Sequence, residues 1–452
     1  MAEGAAPQPA AHPRDRLART LSLRDAVFLV VASVVGSGIF LTPGAIADRL
    51  PHPGLIFAAW AAGGLLSLAG ALANAELGAM YPRAGGDYVY LREAFHPAAG
   101  FLVGWVTFFA IYAGTIATLA AGFAESVAQM AAWPRAAVVP LAVVTVAAFS
   151  ALNYASVPWG LRVNNLAGWV KLAALLAFAL VGPLTGAGDP AHLRPLVEGV
   201  ASTASPAAFA LALSPVLFSY LGWNASVYVA SEIRDPARNV PRSLFVGLGL
   251  CAALYLLLNA VYLYALPVAA LRGTANAGEA AAGVLFGELG GRLVAAFVLV
   301  SILGTLHATI LVGPRIAYAM ALDGLFLRGV DRVHPTRQTP AAAVAVQAAV
   351  ASTILLLLQS FPSALDFTTF AIVLATAADV LALLWLRRVA PAHPRPYRAP
   401  GHPWIPLLYV AANLAIAVGL ARGSPRAAGT AAAVTLAGVP VYLALRRARA
   451  AA

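Results

Sequence analysis

Lys171 is the only lysine in a chain of 452 residues, and it lies within the apolar run LRVNNLAGWVKLAALLAFALV, residues 161–181. An ammonium inside a hydrocarbon-spanning helix costs about 2.5–3.5 kcal/mol on insertion scales, so such a residue is a functional candidate by default. The competing account is a long side chain snorkelling to the headgroups. At about 1.5 Å of rise per residue, however, the Lys171 α-carbon would sit about 12 Å below the nearer end of its helix. That depth favours a buried role. Two further stretches carry chemistry in their backbone. In VFLVVASVVGSGIFLTPG, Gly36, Ser37 and Gly38 cluster at mid-helix, where each glycine weakens a helix by about 1 kcal/mol relative to alanine. In ALALSPVLFSYLGWNASVYVASE, Pro215 removes a backbone donor, and Ser219, Tyr220, Gly222, Trp223 and Asn224 follow it. Taken singly, the first stretch is equally a small-residue packing face and the second a kinked helix with aromatic packing.

Both stretches sit in elements made for a bilayer. The sequence is 61% hydrophobic and 10% charged, with a mean hydropathy of +0.81, whereas soluble domains carry about 25% charged residues. A spanning helix needs about 20 apolar residues. Twelve such stretches are predicted, at 25–48, 54–79, 97–126, 137–156, 163–184, 206–231, 242–266, 289–321, 340–359, 363–386, 403–421 and 427–445. The first 24 residues are polar and lack the apolar core of a removable signal. With that tail inside, 21 of the 28 arginines fall in inside segments. The positive-inside rule therefore predicts both termini in the cytoplasm. The same asymmetry accounts for the net charge of +11 without a nucleic-acid partner.

Several function classes are excluded. A phosphate-binding loop needs Gly-Lys-Ser/Thr, and the one lysine follows Val170. HExxH, CxxC and GxSxG are absent, and Cys251 has no intrachain disulfide partner. Gly247, Gly249 and Ala252 fit GxGxxA only inside an apolar span, which predicts helix packing. No catalytic residue, metal site or cofactor is expected.

The interrupted spans are the first and the sixth, each opening a set of five, with two helices left over. Interruptions at corresponding places in two halves are the best sequence pointer to a secondary-transporter site between inverted repeats. The expected organisation is a tail (1–24), a first repeat (25–184), a second repeat (206–386), two further helices (403–445) and a short tail (446–452). Broken helices free backbone groups at depth, tolerable only where they line a cavity. Half-helix N–H ends attract an anionic group, and carbonyl ends receive an ammonium. An amino acid carries both.

GSGIF in the first span, AELGAMYPRAGGDYVYLREAFHP after the second, FSYLGWN and SEIRDPARNVPRS around the sixth, and RPYRAPGHPWIP after the tenth resemble the amino acid, polyamine and organocation superfamily. Within it the chain is most similar to bacterial relatives of the L-type amino acid transporters. The resemblance implies an all-α LeuT-type fold with helices 1 and 6 broken, in a bacterial inner membrane. It implies that a substrate carboxylate meets the backbone at Gly36, Ser37 and Gly38, beside Ile39. The amino group would meet carbonyls near Phe218, Ser219 and Leu221, with Phe218 as the gating aromatic and Tyr220, Trp223 and Asn224 completing the site. Many relatives have glycine where Leu221 stands, so a narrower pocket and small or medium neutral substrates are expected. Lys171 would replace the sodium ion of other members, reaching the carbonyls of Ala32 and Val35 and the hydroxyl of Thr305. Transport is then expected to be sodium-independent, by exchange or linked to protons. The alternative is a proton-coupled permease for cationic amino acids or amines.

Three more residues are candidates for the pocket or for proton transfer: Tyr112, His307 and Asp379. Asp379 is expected to pair with His307 or with an arginine near the end of the tenth span. Glu76 and Glu125, near span ends, are expected to be solvated or capping.

Overall fold

The computed structural model describes residues 15–155, 157–199, 204–335, 339–358 and 361–450. Residues 1–14, with Arg14, and the final residues 451–452 lie outside them, so the expected terminal tails are described only in part. Among the described residues the chain is helical, with one isolated strand-like bridge. Ten helices among the described residues are long and apolar enough to cross a membrane. Two shorter apolar helices, Pro206–Ser219 and Ala341–Leu357, stand where the sixth and ninth spans were expected.

The elements run in order as α1 (Leu23–Val34), α2 (Gly38–Leu41), α3 (Pro53–Met80), α4 (Asp87–Ala94) and α5 (Pro97–Val106). A π-helical turn, Thr107–Tyr112, joins α5 to α6 (Ala113–Met130). There follow α7 (Val138–Ala155), α8 (Val157–Val181), α9 (Pro206–Ser219), α10 (Ala225–Tyr228) and α11 (Pro236–Ala265). The rest is α12 (Ala277–Val312), α13 (Pro314–Leu322), α14 (Ala341–Leu358), α15 (Phe361–Val389), α16 (Trp404–Gly423) and α17 (Pro425–Ala450).

A capping box starts α1. The Ser22 N–H donates to Asp25 Oδ2 at 2.8 Å, and the Asp25 N–H to Ser22 Oγ at 3.3 Å, satisfying donors that a helix start leaves free. Every residue of α1 from Phe28 to Val31 is buried, which suits a helix enclosed by others. α11 packs along α1 and α3. Gly247 allows that approach, because a β-carbon there would lie 2.7 Å from Val30 Cγ1. Gly249 faces open space, so only the first glycine of the pair has the predicted packing role. On the outer helices large apolar side chains face outward, among them Leu166, Leu289 and Leu357, as expected where hydrocarbon is the solvent.

The sixth span departs from a kinked continuous helix. α9 passes through Pro215 and ends at Ser219. Gly222 has φ +93°, and only one turn, α10, follows before a 3-10 turn at Ala230–Glu232. The segment just past this break pairs with the chain entering α1. The Leu21 N–H donates to Glu232 O at 2.9 Å, and the Arg234 N–H to Leu21 O at 2.8 Å. Glu232 is itself buried against Arg315, at 2.8 Å. The two interrupted elements are thus tied together at one end.

Glu76 corrects an expectation. It is fully buried, paired with Arg387 and with Arg395 at 3.2 Å, and accepts the Ala399 N–H at 2.7 Å. Its partners come from the end of α15 and from RPYRAP, so the motif after the tenth span lies over a buried charge.

Candidate functional site

The break in the first element spans Val35 to Ser37, where α1 stops and α2 restarts at Gly38. Ending a helix leaves its last carbonyls without intrahelical donors, and here side chains from three other helices supply them. Lys171 of α8 is 1% exposed, and its Nζ donates to Val35 O at 2.7 Å, Ala32 O at 3.3 Å and Thr305 Oγ1 at 2.7 Å. Three ammonium protons thereby meet three oxygens. Thr305 Oγ1 also lies 2.9 Å from each carbonyl, and with one proton it can serve only one of them. Gly304 makes room, since a β-carbon there would stand 2.9 Å from Lys171 Cε. The side chain points into the bundle, toward the break, and not toward a headgroup layer. Carbonyl and hydroxyl oxygens gathered in this way are the donors a hard metal cation prefers. On α11, the Tyr255 hydroxyl lies 2.8 Å from Val34 O and 2.9 Å from Ser219 O, joining the last carbonyls of both interrupted helices.

The two breaks meet. A β-carbon on Gly38 would fall 2.6 Å from the Ser219 α-carbon, and one on Gly222 would fall 2.9 Å from the Ser33 carbonyl carbon. Glycine is required at both places by close approach, and at Gly222 also by its positive φ. Thr42 Oγ1 and Ser219 Oγ are 3.0 Å apart. The Ser37 hydroxyl lies buried in the first break with no hydrogen-bond partner. Ile39 on α2 and Phe218 near the end of α9 are also buried.

A narrow cavity opens alongside the second break, lined in part by Ser33, Asp87, Tyr112, Leu221, Asn224 and Tyr228. Of the candidates, Tyr112, Leu221 and Asn224 therefore face it. Gly36 instead faces Thr305. Tyr220 turns away, bonding Trp60 O at 3.2 Å, and Trp223 is buried. His307 does not line the cavity. Its Nε2 donates to Gly160 O at 2.8 Å and its Nδ1 accepts from Asn153 Nδ2 at 3.1 Å, a packing arrangement that fixes one tautomer. Among the described residues Asp379 pairs with neither His307 nor an arginine. Its Oδ2 accepts from Asn74 Nδ2 at 3.4 Å, and its carboxyl is close enough to Asp87 to interact with it.

Reading the sequence missed Tyr255 and Asp87. Tyr255 sits in an ordinary apolar span and has no signal. Asp87 lies in PRAGGDYVYL, where Gly85 (φ +105°) and Gly86 (φ +47°) turn the chain so that the aspartate begins α4.

Comparison with known proteins bears on what this arrangement does. The profile of the family described as "Amino acid permease" matches residues 21–441. The serine/threonine exchanger SteT of Bacillus subtilis (strain 168) is 29% identical over 444 residues, covering 97% of this chain and all of the relative. The human b(0,+)-type amino acid transporter 1 is 29% identical over 393 residues, covering 85% of this chain and 79% of the relative. The mouse Asc-type amino acid transporter 1 is 28% identical over 446 residues, covering 96% and 82%. The family and these relatives are transporters and not enzymes.

Proposed function

This chain belongs to the amino acid permease family, and on that premise we propose that it is a sodium-independent exchanger of small or medium neutral amino acids. It works by alternating access in a bacterial plasma membrane, with both termini cytoplasmic. The proposed architecture is two inverted sets of five spans followed by two more. The observation carrying the reading is the pair of adjoining helix breaks with Lys171 bonded into the first of them. The substrate carboxylate binds the N–H groups of Ser37, Gly38 and Ile39 at the start of α2, near the unpartnered Ser37 hydroxyl. The substrate ammonium takes carbonyls at the end of α9, from Phe218, Ser219 and Leu221. Phe218 closes over it, and Leu221, Asn224 and Tyr112 bound the side-chain space. The bulk of Leu221 favours small substrates. That SteT is by name a serine/threonine exchanger supports both the size and the exchange.

Lys171 holds Ala32 O, Val35 O and Thr305 together as a bound cation would, so no sodium is needed to set the first break. Purified protein in proteoliposomes, loaded with unlabelled serine and given labelled serine outside without sodium, tests this. Uptake that depends on internal amino acid supports exchange. Uptake driven only by an imposed proton gradient favours the symport alternative, and sodium-dependent uptake defeats the role given to Lys171.

A further inference from the structure

Asp87 and Asp379 meet inside the protein on α4 and α15, which pack together. Neither residue has measurable exposure. Neither has an ion-pair partner among the described residues. Asp87 Oδ2 accepts from Tyr228 OH at 2.6 Å and from Thr107 Oγ1 at 3.4 Å, while Asp379 Oδ2 accepts from Asn74 Nδ2. The remaining oxygen of each, Oδ1, is buried without any donor, and the two carboxyls, on packed helices, are close enough to interact. Two adjoining carboxylates cannot both stay ionised in a dry site, and one proton between them satisfies both. Two further buried polar atoms without partners lie on residues beside the pair, the Tyr90 hydroxyl and Asn74 Oδ1. Tyr112, Tyr228 and Tyr409 also stand close enough to feel these charges, and none of these neighbours is cationic.

The pair is connected to the second break. Asn224 Nδ2 donates to Tyr228 OH at 3.1 Å, and that hydroxyl donates to Asp87. Tyr112 stacks edge-on against Tyr228, with centroids 5.2 Å apart. Asp87 itself lines the cavity that Asn224 and Leu221 face.

We propose that Asp87 and Asp379 share one proton and form the site at which this transporter binds and releases a proton during its cycle. The inference rests on the transport reading above and adds a second ligand to it. Release passes the shared proton to water that enters when the cavity opens to one side of the membrane, giving hydronium and two carboxylates that this water solvates, so the site is then no longer dry. Uptake reverses the transfer, with no other reactant. Asn224 and Tyr228 communicate the pair's charge to the broken helix, so protonation and substrate occupancy are coupled.

Infrared spectroscopy of the purified full-length protein tests the shared proton directly. The other buried carboxylates with firm partners, Glu76 and Glu232, are ion-paired with arginines. At neutral pH the wild type is expected to show a protonated-carboxyl stretch that disappears at higher pH. The double variant Asp87→Asn/Asp379→Asn should lack it. In proteoliposomes, the wild-type exchange rate should change over the pH range in which the band disappears, and the double variant should be flat there. A wild type without the band at neutral pH overturns the proposal, and needs no variant to fold. So does a double variant that keeps either the band or the wild-type pH profile. Failure of all amino acid exchange would instead defeat the transport reading, leaving the infrared result to stand separately.

Discussion

Replacing Lys171 removes the group that completes the first break, and the consequence can be worked from its contacts. Three hydrogen bonds join Nζ to Ala32 O, Val35 O and Thr305 Oγ1. Without them the single Thr305 proton can serve Ala32 O or Val35 O, at 2.9 Å from each, but not both. Ser301 Oγ, 3.4 Å from Val35 O, offers only a long bond in place of the ammonium, so one buried carbonyl is left weakly served, at a cost of about 1–3 kcal/mol. If that cost falls on the substrate-competent conformation and not on alternatives with a closed helix, its population drops by about 5–150-fold. Lys171→Met preserves most of the volume beside Gly304 and isolates the loss of charge, whereas Lys171→Ala adds a void. The assay is exchange of labelled serine in proteoliposomes, normalised to reconstituted protein, with size-exclusion profiles reporting the fold. Both variants should retain a monodisperse profile and lose about fivefold or more in exchange rate. A Lys171→Met protein that exchanges at the wild-type rate would refute the reasoning and return the lysine to a packing role.

Substituting potassium or choline for sodium should leave wild-type exchange unchanged, as measured by initial rates in matched buffers. Gly38→Ala would place a β-carbon 2.6 Å from the Ser219 α-carbon, and Gly222→Ala would place one 2.9 Å from the Ser33 carbonyl carbon at a positive φ. Both should abolish exchange, while Gly249→Ala, with nothing within 4 Å, should behave as wild type. Glu232→Gln leaves buried Arg315 without its counter-charge and should cost about 3–5 kcal/mol of stability, read as a lowered thermal midpoint in detergent.

Much of this was legible before any coordinates, and the reasons are local. Apolar runs of bilayer length can be counted directly, and glycines or prolines within them mark where backbone hydrogen bonding is weakest. Gly36 to Gly38 and the stretch after Pro215 stood out for that reason. Lys171 was conspicuous because a charge inside such a run needs partners, although the run does not say which. Its partners Ala32, Val35 and Thr305 came from resemblance and not from spacing. What escaped were pairings that depend on tertiary approach. Glu76 reads as a span-end carboxylate until the segment after α15 folds back to bury it with Arg387 and Arg395. Asp379 is expected to pair with His307 or an arginine, yet its hydrogen-bond donor is Asn74 and the charged group beside it is another acid. Tyr255 carries no signal at all, since a tyrosine in an apolar helix is ordinarily packing. The second break also proved wider than a kink, because Gly222 adopts a left-handed conformation that composition alone does not dictate.

In the proposed function, two opened helices recognise both poles of an amino acid through their backbones. Competition against labelled serine exchange in sodium-free proteoliposomes tests it, using unlabelled serine, its N-acetyl derivative and its methyl ester. Serine should compete, while blocking either the ammonium or the carboxylate should abolish competition. A blocked derivative that competes as well as serine would show that one of the two poles is not held, and would contradict the account.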